Sequence, residues 1–98
     1  MPRSDTDFLD TLENVIKRRL VDRPENSYTS SLADAGIKRI AQKTGEEAVE
    51  LALASVSGDA SEVRNEAADL LYHLLVLLAA SDVQLSEVIG VLRDRHET

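Results

Sequence analysis

The chain has 98 residues with 18 acidic and 11 basic side chains, a net charge of −7, no cysteine and three aromatics. One domain of this size sits near the lower limit for holding its own core. The negative balance argues against nucleic acid as a partner, and the lack of cysteine excludes disulfides, thiolate metal sites and thiol nucleophiles. The start, MPRSDTDFLD, lacks the apolar core of a signal peptide, and the longest apolar run, Leu70 to Ala80, is too short to span a bilayer. The expectation is a cytoplasmic, membrane-free, all-α protein rich in Ala, Leu, Val and Glu.

In chain order, Phe8, Leu9, Leu12, Val15, Ile16 and Leu20 recur at helical spacing, with Ser4 or Asp5 as cap, and this first helix ends before Pro24. RPENSYTSS follows as a polar loop. A second helix is expected from near Ser31 to about Val56, with Gly36 and Gly45 inside it; Thr44 and Glu47 also fit a capping box, so a break at Gly45 is the alternative. SGDAS reads as a stop and a start, Gly58 closing one helix and Asp59 capping the next. The third helix runs from about Ala60 to Ala80, and after SDVQ a short fourth carries Leu85, Val88, Ile89 and Leu92. Leu70 to Leu78 is apolar all round, which calls for cover on every side. A homodimer forming a larger helical bundle supplies it.

Five acids stand out: Glu46, Glu47 and Glu50 before the Gly58 turn, Glu66 and Asp69 after it. In a helical hairpin centred on Gly58, Glu50 and Glu66 each lie eight residues from the centre, and Glu47 and Asp69 eleven. Each pair is therefore level, the first about 12 Å from the turn, and members three apart share a face. Converging like charges repel by roughly 4 kcal/mol per pair at about 4 Å, so protons, basic groups or a hard cation must offset them. An all-oxygen group favours Mg²⁺ or Mn²⁺ over zinc. A solvated acidic face is the alternative. Lys43 lies one turn before Glu47 as a plain helical partner, with Lys38 and Arg39 earlier on the same helix. His73 reads as a hydrogen-bonded core residue behind Asp69, and Tyr72 as packing.

SYTSSL, GIKRIAQKTGEEAVELALA and EAADLLYHLLVLLA closely resemble the phosphoribosyl-ATP pyrophosphatases of histidine biosynthesis, within the all-α, MazG-like nucleoside triphosphate pyrophosphohydrolases. The likeness spans about Asp7 to Arg95, and the superfamily's EExxE and ExxD are matched by Glu46-Glu47-x-x-Glu50 and Glu66-x-x-Asp69. It implies a four-to-five-helix bundle completed by homodimerisation, one domain over residues 1–98. It also implies Mg²⁺-dependent hydrolysis of phosphoribosyl-ATP to phosphoribosyl-AMP and pyrophosphate. On that likeness Glu47, Glu50, Glu66 and Asp69 hold the metal, and Glu46, Glu47 and Lys43 serve catalysis. Ser27, Tyr28, Thr29, Lys38, Arg39 and Lys43 bind substrate. The expectation from 98 residues is that the cyclohydrolase fused to some members is not part of this sequence. A pyrophosphatase for non-standard free nucleotides and a non-catalytic helical dimerisation module are the competing readings.

Overall fold

The computed structural model describes residues 5–97, which form five α-helices and no strand. A 3₁₀ turn, Asp5–Asp7, leads into α1, Phe8–Asp22. Asp7, not Asp5, holds the N-cap position of α1; Ser4 lies outside the described residues. The apolar stripe of α1 faces inward, with Ile16 fully buried. Arg23, left-handed at φ 47°, ends the helix by donating its N–H to the Arg19 carbonyl at 2.9 Å, just before Pro24.

The expected second helix is two helices. α2 spans Tyr28–Ala35 and α3 spans Ile37–Ser57. The polar loop is correspondingly shorter than RPENSYTSS, because Ser27 caps α2 by accepting from the Ser30 N–H at 3.2 Å. Gly36 makes the break at φ 95° and ψ 170°, a region open mainly to glycine. Gly45 lies within α3, and Thr44 does not cap: its hydroxyl donates to the Ile40 carbonyl at 2.9 Å.

The Gly58 hinge has the expected form. Gly58 at φ 81° closes α3, and the Asp59 carboxylate caps α4, Ala60–Ala80, by accepting from Ser61 N and Glu62 N at 2.9 and 3.3 Å. α4 ends in a Schellman turn, with Val83 N donating to the Leu78 carbonyl at 2.9 Å and Asp82 left-handed at φ 58° in the place glycine usually takes. Gln84 and Glu87 form a capping box at the start of α5, Leu85–His96.

Ile16, Leu32, Ile40, Leu75 and Val76 make the core, one or two residues from each of α1 to α4. Glu13 is buried beside it and accepts from the Leu85 N–H at 2.7 Å, so α1 supplies a carboxylate to the first turn of α5. Within the chain α4 is covered on one side: His73, Leu75 and Val76 are buried, while Leu71 is exposed. On α3, Val49, Leu53 and Val56 stand 60%, 65% and 85% exposed along one stripe. No single helix among the described residues is long and apolar enough to cross a membrane.

Candidate active site

α3 and α4 run antiparallel from the Gly58 turn, and helical periodicity brings their acidic residues level. One carboxylate oxygen each from Glu47, Glu66 and Asp69 can be found within 4.8 Å of one another. Glu47 is 7% exposed; its Oε1 lies 3.6 Å from Lys43 Nζ, and its Oε2 is buried with no hydrogen-bond partner. Glu66 Oε2 is buried and unpartnered too. Burial, a hydrogen bond with the Glu50 side chain, and the charges of Glu50, Asp69 and Glu47 together raise the Glu66 acid above its ordinary value. Glu50 stands exposed outside the close group of three and acts on it through its effect on Glu66.

Two buried, unsatisfied carboxylate oxygens facing a third acid are unstable as they stand. The donor set is oxygen only, with no cysteine in the chain. Such a set suits a hard divalent cation. Glu46 lies outside this close group, exposed and lining a shallow depression with Ala41, Gln42, Gly45, Val49 and Glu50. Lys38 and Arg39 are exposed on the first turn of α3 and form no ion pair among the described residues.

The polar turn before α2 reaches the same region through α4. The Tyr28 hydroxyl lies 2.8 Å from His73 Nε2, and His73 Nδ1 lies 2.8 Å from the Asp69 carbonyl oxygen. Thr29 is 1% exposed and its hydroxyl bonds the Tyr72 hydroxyl, which places it behind the surface that a ligand could touch. Ser27 is half-buried, and Tyr28 is half-exposed with its ring 6.0 Å from that of Tyr72. His73 is buried with both ring nitrogens engaged, as a core histidine should be. Tyr72 packs against the core of its own chain.

Residues 9–96 match the phosphoribosyl-ATP pyrophosphohydrolase family. The chain belongs to this family. Among similar proteins is the histidine biosynthesis bifunctional protein HisIE of Yersinia pestis, 54% identical over 94 residues, covering 96% of this chain and 46% of that protein. The HisIE of Photobacterium profundum is 53% identical over 89 residues, 91% of this chain and 43% of that one. That of Xanthomonas campestris pv. campestris is 47% identical over 96 residues, 98% and 47% of the two chains. The chain therefore spans less than half the length of these relatives. For a phosphoribosyl-ATP pyrophosphohydrolase fold the acidic hairpin is the part legible in sequence. The Tyr28–His73 and Thr29–Tyr72 contacts, between residues 45 and 43 apart, have no sequence signal beyond polar groups in an apolar helix.

Proposed function

We propose that this chain hydrolyses phosphoribosyl-ATP to phosphoribosyl-AMP and pyrophosphate in histidine biosynthesis, with Mg²⁺ held by Glu47, Glu50, Glu66 and Asp69. The observation that carries the metal reading is the pair of buried, unpartnered oxygens, Glu47 Oε2 and Glu66 Oε2, in one group with Asp69. Bound there, the cation would supply charge neutralisation and Lewis acidity toward phosphoryl oxygens. The residues divide the remaining work. Water adds at one of the two phosphorus atoms flanking the α–β bridging oxygen, and the phosphorus–oxygen bond on that side breaks. Glu46, exposed at the rim, orients the water and takes its proton. Lys43 turns its ammonium from Glu47 to the departing pyrophosphate, and Lys38 and Arg39 add charge just over one turn earlier on α3. Ser27 Oγ accepts from Ser30 N, which leaves its hydroxyl proton to donate to phosphate or ribose. Thr29 keeps that turn seated through Tyr72.

We further propose a homodimer working in the cytoplasm. Its support is the exposed Val49, Leu53 and Val56 stripe of α3 together with exposed Leu71 of α4, apolar side chains that a partner would cover. A folded monomer in sedimentation at micromolar concentration would sink this part. The activity is tested by giving purified protein phosphoribosyl-ATP, and separately a panel of canonical triphosphates, with Mg²⁺ and pyrophosphate detection. Release from phosphoribosyl-ATP well above the panel is expected. Equal or better release from the free triphosphates would replace this reading with a general nucleotide pyrophosphatase.

A further inference from the structure

The contact between Tyr28 and His73 belongs neither to the apolar core nor to the carboxylate group. Tyr28 opens α2 and His73 lies in the middle of α4, yet Tyr28 Oη and His73 Nε2 are 2.8 Å apart. At the other side of the ring, Nδ1 is 2.8 Å from the Asp69 carbonyl oxygen. A carbonyl oxygen only accepts, so Nδ1 carries a proton; in the neutral ring Nε2 is then the acceptor and the Tyr28 hydroxyl donates. The surroundings hold this residue from other directions. The Thr44 hydroxyl, whose proton goes mainly to Ile40, also lies 3.3 Å from the His73 backbone carbonyl, Tyr72 meets the imidazole edge-on at 5.3 Å, and Tyr28 does so at 5.6 Å.

Adhesion alone does not call for this arrangement. Apolar groups of the same shape would hold α2 to α4 about as well, since a satisfied buried hydrogen bond adds little net stability. What hydrogen bonds add is direction, fixing both distance and angle. Here the fixed quantity is the place of the Ser27–Tyr28 turn relative to the α4 turn that carries Asp69.

We propose that His73 is a positioning residue, setting through Tyr28 where this turn stands relative to the carboxylate group. A phosphate ester held at the carboxylates then meets Ser27 and the open face of the Tyr28 ring, while the Tyr28 hydroxyl serves His73 and not the substrate. The proposal rests on the pyrophosphohydrolase reading above.

Tyr28→Phe, His73→Asn and the double variant test it. The Asn amide nitrogen stands in for Nδ1–H toward the Asp69 carbonyl but offers nothing to Tyr28. Steady-state kinetics with phosphoribosyl-ATP are read beside ¹⁵N spectra of the imidazole. Wild type should show His73 protonated at Nδ1 alone, and Tyr28→Phe should move the Nε2 signal. Each single variant should raise KM by about tenfold, the scale of one buried hydrogen bond, with kcat and Mg²⁺ affinity changed by less than about threefold. The double should be no worse than the worse single, because both break one link. Multiplying effects in the double would mean that the Tyr28 hydroxyl touches substrate directly, and would overturn the proposal. A proton on Nε2 in place of Nδ1 would overturn it as well. A wild type that releases no pyrophosphate overturns the functional reading, and the positioning role with it, whatever the imidazole signals. An active wild type with multiplying kinetics overturns the positioning role alone.

Discussion

Glu47→Gln separates what the carboxylate group does from what holds the helix. Glu47 has a cation, Lys43 Nζ, at 3.6 Å and acidic oxygens within 4.8 Å. At an effective dielectric near 20, the first spacing attracts by about 5 kcal/mol and the second repels by roughly 3 kcal/mol per unit charge. Asp69 is exposed and the Lys43 side chain is 25% exposed, so solvent cuts both figures. The two effects oppose each other. The metal-free melting temperature of Glu47→Gln should accordingly stay within about 5 °C of wild type, on a scale of roughly 5 °C per kcal/mol for a domain this small. The response to metal is far larger. A cation at about a hundred times its Kd stabilises the folded state by about 2.7 kcal/mol. For 98 residues, with an unfolding entropy of roughly 0.2 kcal/mol/K, that is a rise of about 13 °C. An amide ligand that weakens affinity about a hundredfold leaves a rise of about 2 °C. Circular dichroism melts with and without Mg²⁺, beside pyrophosphate release, read all of this directly. If Glu47→Gln melts more than about 10 °C lower without metal, keeps the full Mg²⁺ response and turns over normally, Glu47 is only the helical partner of Lys43.

The pH dependence of the metal-free protein should report Glu66. Its acid is raised above 4.5 in the fold, so the native state holds that proton more tightly than the unfolded chain, and stability falls as pH rises through this window. Glu66→Gln should therefore melt with wild type near pH 4 and above it near pH 7; a wild type that melts higher near pH 7 would refute the convergence of charges. Lys43→Ala should cut turnover by about ten- to a hundredfold and move the Mg²⁺ midpoint by less than about threefold, with Lys43→Arg partly active. Unchanged turnover there would confine Lys43 to its contact with Glu47. Glu13→Ala strands the Leu85 N–H and should cost about 1–3 kcal/mol, some 5–15 °C in a thermal melt. Glu13→Gln keeps an acceptor and should lose less; equal losses would mean that charge, not the hydrogen bond, ties α5 down.

The hairpin of α3 and α4 is readable from sequence because everything that specifies it is local. Gly58 and Asp59 are adjacent, each with a conformation its own chemistry prefers, and from that fixed point the two helices bring Glu47, Glu66 and Asp69 together. The region before Gly36 departs from expectation for the same physical reason turned around. Gly36 and Gly45 look alike as helix residues, and the backbone uses φ 95° only at Gly36. Ser27 accepting from Ser30 N is the local signal for an earlier helix start. Glu13 reaches the N–H of Leu85, 72 residues on, and Tyr28 reaches His73 across 45, distances over which periodicity says nothing. The acids themselves show where the boundary lies. Their spacing fits a solvated face as well as a metal group, and spacing alone does not choose between them. Burial bears on the choice: a solvated face keeps its oxygens in water, whereas Glu47 Oε2 and Glu66 Oε2 are buried without a hydrogen-bond partner. The nearby His73 is satisfied on both nitrogens, and the two unpartnered acid oxygens lie in the group proposed to hold the cation.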